Sequence, residues 1–184
     1  VKEAYGDVTV HVLDVNDNAP VLALDSFYTD EGLEVGTVIH QVVGTDVDQN
    51  PEIHYFYTGF YSNLFAIDSV TGQISIKEEL DFESEERYQF KVTLNDGVFT
   101  SEGDVIIGVN DLNDEIPMVI DTTFAVSEYE IEGYQLGQIY AGDKDVDSYL
   151  SFELLSQEKH FELSDDGQLS LLSILDYESA SKHD

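Results

Sequence analysis

The chain has 184 residues, and its 7 lysines and arginines stand against 39 aspartates and glutamates, a formal net charge of −32 at pH 7. This balance excludes nucleic acid as the expected partner, because a phosphate backbone requires a basic surface. Disordered chains can be equally acidic, but 42% hydrophobic and 11% aromatic residues favour packed cores. Bound divalent cations would explain the acidity, since Ca²⁺ takes about 6–8 oxygen ligands.

Cysteine is absent, which excludes disulfide bonds and thiolate metal sites. No apolar run reaches the length that a membrane-spanning helix requires, and Val1 does not open a signal peptide. We therefore expect either a soluble protein or a piece of a larger one.

The first predicted element is a β-strand over residues 8–13, where apolar and polar residues alternate. A short acidic segment, residues 14–20, follows the strand and ends in Pro20. Proline cannot donate to a sheet and restricts the residue before it, so the strand must stop there. The same order recurs when a strand near residues 104–109 is followed by the acidic residues 111–117 and by Pro117. We name residues 14–20 the first linker and residues 111–117 the second linker.

Residues 21–110, between the linkers, predict seven short strands separated by turn residues. The predicted strands are an edge strand near 21–28, then 38–43, 53–57, 64–67, 74–76, 88–94 and 105–109. About 100 residues with this many strands and no helical periodicity are typical of a Greek-key β-sandwich. The fold class predicted for the chain is therefore all-β.

Several acidic blocks recur at a near-constant spacing of a little under one hundred residues. They are Asp17 and Asp114, Glu31 and Glu128, Asp46/Asp48 and Asp143/Asp145, and Asp81/Glu83 and Asp176/Glu178. Such a series indicates tandem repeats. We interpret 1–13 as the last strand of one repeat, 21–110 as a complete repeat and 118–184 as the N-terminal part of a third. Because residues 118–184 lack counterparts of two strands, we expect this part to be weakly stable.

These motifs together resemble the extracellular repeats of the cadherin superfamily. The linkers are similar to its Asp-x-Asn-Asp-Asn segment, and the recurring blocks match its Glu, Asp-x-Asp and Leu-Asp-x-Glu sites. The resemblance covers essentially the whole chain. It implies tandem seven-stranded, immunoglobulin-like Greek-key sandwiches with three Ca²⁺ ions at each junction.

The resemblance also implies a ligand set for each junction. For the second junction the set is Glu31, Asp81, Glu83, Asn113, Asp114, Asp143 and Asp145 by side chain, with Leu112, Glu115 and Asp147 by carbonyl. For the first junction it is Asn16, Asp17, Asn18, Asp46, Asp48, Asp96 and, by carbonyl, Asn50. Glu128, Asp176 and Glu178 would serve a third junction. The family usually has Asn where Glu115 stands, and a carbonyl ligand makes that change harmless.

Charge explains why a cation would matter at the second junction. Its six side-chain carboxylates repel one another, at about 1 kcal/mol for a pair ~4 Å apart even in water. Three Ca²⁺ would neutralise them and fix the angle between the repeats, at affinities of roughly 10⁻⁴–10⁻³ M in extracellular modules. The sequence therefore predicts a hinge that calcium stiffens.

The resemblance implies cell adhesion through homophilic or heterophilic contacts with other cadherin ectodomains. It also implies an extracellular location on a single-pass plasma-membrane protein, with the membrane segment outside this chain. One alternative is a receptor ectodomain that binds an unrelated secreted protein or toxin. A remote alternative is a glycoside hydrolase that uses Asp81 and Glu83 as its carboxylate pair. We expect no enzymatic activity, because metal neutralisation explains the carboxylate pair and no sugar-stacking cleft is visible in the sequence. The 5 histidines also have neither metal-ligand nor triad spacing.

Overall fold

A computed structural model describes residues 2–49, 51–146, 148–155 and 159–179. The chain divides into two compact units, Val1–Leu112 and Asn113–Asp184, here named unit 1 and unit 2. Within the described residues all regular structure is β, and none of their segments forms a helix able to cross a membrane. The strands of unit 1 are β1 Asp25–Asp30, β2 Val38–Gln41, β3 His54–Phe56, β4 Phe65–Ile67, β5 Gln73–Ile76, β6 Arg87–Asn95 and β7 Thr100–Asn110.

Unit 1 is built from two sheets. One sheet has the strand order β1-β7-β6-β3 and the other has the order β2-β5-β4. The long strands β6 and β7 pair antiparallel from Arg87↔Gly108 to Asn95↔Thr100. Strand β1 runs parallel to β7, from Asp25↔Val105 to Asp30↔Asn110. The first and last strands of unit 1 are therefore neighbours that run in the same direction.

Alternation along β6 and β7 creates the core. Tyr88, Phe90, Val92 and Leu94 are buried, whereas the side chains between them face outward or are only partly covered. The buried residues of β7 meet them from the neighbouring strand, and Phe65 and Ile74 come from the other sheet. Each such side chain stabilises the fold by about 1.5–3 kcal/mol on burial.

The seven strands predicted between residues 21 and 110 are confirmed, with shifted ends. The edge strand begins later than predicted, at Asp25, although Val21 already forms an isolated bridge with Thr45. The last strand is longer than predicted and spans Thr100–Asn110. These strands and the two sheets are those of an immunoglobulin-like sandwich.

The strand predicted over residues 8–13 is wrong. These residues form no regular structure, and Val8, Val10, Val12 and Leu13 are all more than three-quarters exposed. A strand is stable only when its N–H and C=O groups pair with a neighbour, and no described strand pairs with this segment. Its assignment to a preceding repeat stays a prediction.

Unit 2 has shorter strands and a smaller core. Its strands are β8 Met118–Val119, β9 Gln135–Gln138, β10 Ala141–Gly142, β11 Phe161–Leu163 and β12 Gln168–Leu171, in the sheets β10-β8 and β11-β12-β9. Among its described residues, Leu171 is the one hydrophobic side chain that is buried, whereas Tyr129, Tyr149 and Leu155 are almost fully exposed. That unit 2 has low stability stays a prediction, and the exposure of these large hydrophobic side chains favours it.

Candidate metal centres

Glu31 follows the end of β1 and is buried, with 4% of its surface exposed. Its two carboxyl oxygens accept hydrogen bonds from backbone N–H groups of two other segments. Oε2 accepts from Phe82 N at 2.6 Å and Oε1 from Leu112 N at 2.7 Å. One side chain thus connects the end of β1, the loop after β5 and the start of the second linker.

Asp81 and Glu83 lie in the loop after β5, which Leu80 anchors in the core. Asp81 accepts hydrogen bonds from Ser84, at 2.7 Å from Oγ and 3.1 Å from the backbone N. The hydrogen bond from the Ser84 side chain is the main reason that the pKa of Asp81 lies below its usual value. The loop therefore favours the ionised form of Asp81, which is the form in which a carboxylate can bind a cation.

Glu83 has the opposite electrostatic environment. Loss of solvent raises its pKa from 4.5 to about 7, and the charge of Glu31 and the hydrogen bond and charge of Asp111 also raise it. Its Oε1 atom is buried and has no hydrogen-bond partner among the described residues. A buried carboxyl oxygen surrounded by other carboxylates is costly unless a cation neutralises it.

Glu31, Asp81 and Glu83 each place a carboxylate oxygen within 4.8 Å of the others. The donor set consists of oxygen alone, as hard divalent cations such as Ca²⁺ prefer. Together with the unpartnered Oε1 of Glu83, this arrangement fits a metal ion. Asp111, which acts on Glu83, was missed as a site residue, although it opens the second linker as Asp14 opens the first.

The same geometry recurs in unit 2. Glu128, Asp176 and Glu178 also bring carboxylate oxygens within 4.8 Å of one another. Tyr177 N donates to Glu128 at 3.0 Å, as Phe82 N does to Glu31. Ser179 Oγ donates to Asp176 at 2.7 Å and is the main cause of its lowered pKa. The repeat found in the sequence is therefore also a repeat of hydrogen bonds.

The first linker contacts two loops of unit 1. Asn18 donates to Asp48 twice, from its backbone N at 3.0 Å and from Nδ2 at 2.7 Å. Asn16 Nδ2 donates to the Asp96 carbonyl at 3.4 Å. Among the described residues, buried oxygens of Asn16, Asp46 and Asp96 have no hydrogen-bond partner. These oxygens also fit a cation, although the carboxylates that the structure describes around the first linker do not form a close group of three.

In unit 2, Asp143 and Asp145 form a loop against the second linker. Asp145 is buried, and its two carboxyl oxygens accept from Glu115 N at 3.3 and 3.2 Å. Its own N–H donates to Asp143 at 3.2 Å, and Lys144 Nζ lies 3.0 Å from Glu115 Oε2. The loop and the linker are thus held together by backbone and side-chain contacts.

The remaining predicted ligands are accounted for as follows. Leu112, Asn113, Asp114 and Asp17 lie exposed in the linkers, and Asp17 accepts from Asn18 Nδ2 at 2.8 Å. The two predicted carbonyl ligands in the loops, Asn50 and Asp147, lie outside the described residues.

Comparison with known proteins identifies the family. A model of the cadherin domain matches residues 25–110, which include every strand of unit 1. The chain belongs to the cadherin superfamily. Protocadherin Fat 4 of Mus musculus is 34% identical over 184 residues, which are 95% of this chain and 4% of that protein. Human cadherin EGF LAG seven-pass G-type receptor 3 is 36% identical over 149 residues, which are 75% of this chain and 4% of that protein. This cadherin chain therefore spans a small part of these relatives.

Solved cadherin structures share the fold. Extracellular cadherin domains 1–4 of protocadherin gamma B7 superpose with a TM-score of 0.73 at 30% identity, covering 91% of this chain and 44% of that one. Mouse cadherin-23 EC22–24 superposes with a TM-score of 0.75 at 28% identity, covering 90% of this chain and 57% of that one. Both are cadherin ectodomains, in agreement with the all-β sandwich described above.

Proposed function

We propose that this chain is a Ca²⁺-binding segment of a cell-adhesion ectodomain. The observation that carries the proposal is the cluster of Glu31, Asp81 and Glu83, in which a buried oxygen of Glu83 has no hydrogen-bond partner within the described part of the chain. Three carboxylates at this distance favour a doubly charged cation over water, because each repels the others in the metal-free protein.

Calcium is the cation that the donor set favours. Carboxylate, amide and carbonyl oxygens suit the flexible coordination of Ca²⁺, whereas Mg²⁺ requires tighter octahedral geometry and retains its waters. The full proposed set is Glu31, Asp81, Glu83, Leu112, Asn113, Asp114, Glu115, Asp143, Asp145 and Asp147 around the second linker, and Asn16, Asp17, Asn18, Asp46, Asp48, Asn50 and Asp96 around the first. Bound Ca²⁺ would supply the positive charge that these oxygens lack.

The protein's own contribution is to hold its ligands near the linkers. Glu31 fixes the start of the second linker through Leu112 N, and Asn18 fixes the end of the first through Asp48. The second linker joins β7 directly to β8, so ligation of linker atoms would restrict the bond rotations between successive repeats. We propose that calcium stiffens the chain in this way.

The family supports our proposals for adhesion and location. The relatives are protocadherins and related receptors, and one similar structure is described as a cis-dimer of protocadherin gamma B7 domains. We propose an extracellular segment of a plasma-membrane protein that binds other cadherin ectodomains, homophilically or heterophilically. No catalytic role is proposed for Asp81 and Glu83, because cation binding accounts for their proximity.

Calcium binding can be tested by equilibrium dialysis and thermal melting of the whole chain. At a calcium concentration ten times Kd, binding should stabilise the fold by about 1.4 kcal/mol. Asp81→Asn should weaken this gain by removing a ligand charge, whereas Glu79→Gln, an exposed carboxylate in the same loop, should leave it unchanged. Equal calcium stabilisation of both variants and the parent would contradict the site.

Adhesion needs a separate experiment. Beads coated with the chain should aggregate in millimolar calcium and disperse in chelator, and Asp81→Asn should reduce aggregation more than Glu79→Gln. Beads that bind calcium but do not aggregate would refute adhesion by this segment, and would favour a receptor for another protein.

A further inference from the structure

The two linkers are attached to their Asp-x-Asp loops by different chemistry. Asn18 and Glu115 occupy equivalent positions in the two linkers, and Val47 and Lys144 occupy equivalent positions in the two loops. At both places the backbone N–H of the linker residue donates to the second aspartate, Asp48 or Asp145. The side chains then differ.

In the first linker a neutral side chain completes the attachment. Asn18 Nδ2 donates to Asp48 Oδ1 at 2.7 Å. Glu115 cannot do the same, because a carboxylate has no N–H to donate and repels the carboxylate of Asp145. Its Oε2 instead lies 3.0 Å from Lys144 Nζ. The lysine thus supplies the donor and the positive charge that this position would otherwise lack.

Lys144 is also unusual in its sequence context. The chain has only 7 lysines and arginines, and this one lies between Asp143 and Asp145. The ion pair is partly exposed, with 63% of the lysine side chain and 35% of the glutamate side chain accessible. Such pairs change an equilibrium constant by about 1.4- to 5-fold, and they weaken as salt rises.

We propose that Lys144 is a positioning residue for the second linker. Paired with Glu115, it holds the linker against the Asp143–Asp145 loop and replaces the amide hydrogen bond that Asn18 makes in the first linker. The effect of Lys144 on calcium affinity rests on the proposed calcium-binding function. Through this pair, the calcium affinity of the Asp143–Asp145 loop gains a salt dependence beyond the general screening of charges that also acts at the Asp46–Asp48 loop.

The test is a double-mutant cycle on the whole chain, with Lys144→Val, Glu115→Asn and the two combined. The combination installs the residue types found at the first linker. Without metal, Lys144→Val should speed hydrogen exchange of the Glu115 amide about 1.4- to 5-fold, the factor that corresponds to an exposed pair. The combined variant should exchange more slowly than Lys144→Val, because the new amide can donate to Asp145. Lys91→Val removes a comparable exposed pair with Asp104 and should leave Glu115 unaffected.

Calcium titration followed by amide resonances gives the second readout. Lys144→Val should weaken binding at Asp145 about 1.4- to 5-fold relative to binding at Asp48, and the difference should disappear in high salt. The inference would be overturned if the two substitutions changed the exchange rate independently, so that their factors simply multiplied. It would also be overturned if Lys144→Val left exchange of the Glu115 amide unchanged. Hydrogen exchange is measured without metal, so it tests the attachment of the linker to the loop by itself. If the chain failed to bind calcium, the proposed function would be wrong, but the exchange result would still decide whether Lys144 positions the linker.

Discussion

Glu31→Gln should destabilise unit 1 even when no metal is present. The substitution replaces one carboxyl oxygen by an NH₂ group, so either Phe82 N or Leu112 N loses its acceptor. An unsatisfied buried N–H costs about 1–3 kcal/mol. A loss of about 2 kcal/mol corresponds to a fall in Tm of roughly 10 °C for a domain of about 100 residues.

The pH of the measurement decides whether this loss is visible. Glu31 also repels Glu83, and removing that repulsion would offset part of the cost. At pH 6, below the Glu83 pKa of about 7, the Glu83 carboxyl is mostly neutral, so the repulsion is small. Calorimetry at pH 6 with chelator should therefore show the hydrogen-bond loss almost unopposed.

Glu79→Gln is the matched control, because Glu79 is an exposed carboxylate in the segment that precedes Asp81. Its Tm at pH 6 should equal that of the parent. If Glu31→Gln melts with the parent as well, the Glu31 side chain does not anchor the two backbone segments, and the structural basis of the site would be wrong.

Three further predictions concern pH, a turn and unit 2. The pKa of Glu83 is raised, so its contribution to the free energy of unfolding without metal is full below pH 4.5 and is lost as pH rises through about 7. Glu83→Gln should therefore be more stable than the parent at pH 8 in chelator. A less stable variant would contradict this. Gly72→Ala should lower the urea midpoint clearly, because φ is +70° and the new Cβ would lie 2.4 Å from the Val42 carbonyl; an unchanged midpoint would disprove the strain. Limited proteolysis should cut residues 113–184 before residues 21–110, since Leu171 is their one buried hydrophobic residue in the described part, and equal resistance would refute low stability.

The strands of unit 1 could be predicted because its sheets bury one face, which leaves a period-two pattern in the sequence. Tyr88, Phe90, Val92 and Leu94 show that pattern and are buried. Residues 8–13 show the same pattern but form no strand, because alternation does not reveal whether a pairing partner exists. The parallel pairing of β1 with β7 is likewise a property of the fold as a whole.

The cluster of Glu31, Asp81 and Glu83 could be predicted because each residue lies in a recurring motif. The role of Asp111 could not, because its effect on Glu83 depends on burial and on contact between distant segments. The Glu115 side chain was expected to be without consequence, but it pairs with Lys144. Sequence motifs therefore located the loops, whereas the contacts within them required the structure.

The parallel arrangement of β1 and β7 has a mechanical consequence for unit 1. Tension applied through the two chain ends of unit 1 would pull β1 backward and β7 forward along the same line. The hydrogen bonds from Asp25↔Val105 to Asp30↔Asn110 would then be loaded together in shear instead of opening one after another. This sandwich should resist stretching better than its modest strand lengths suggest.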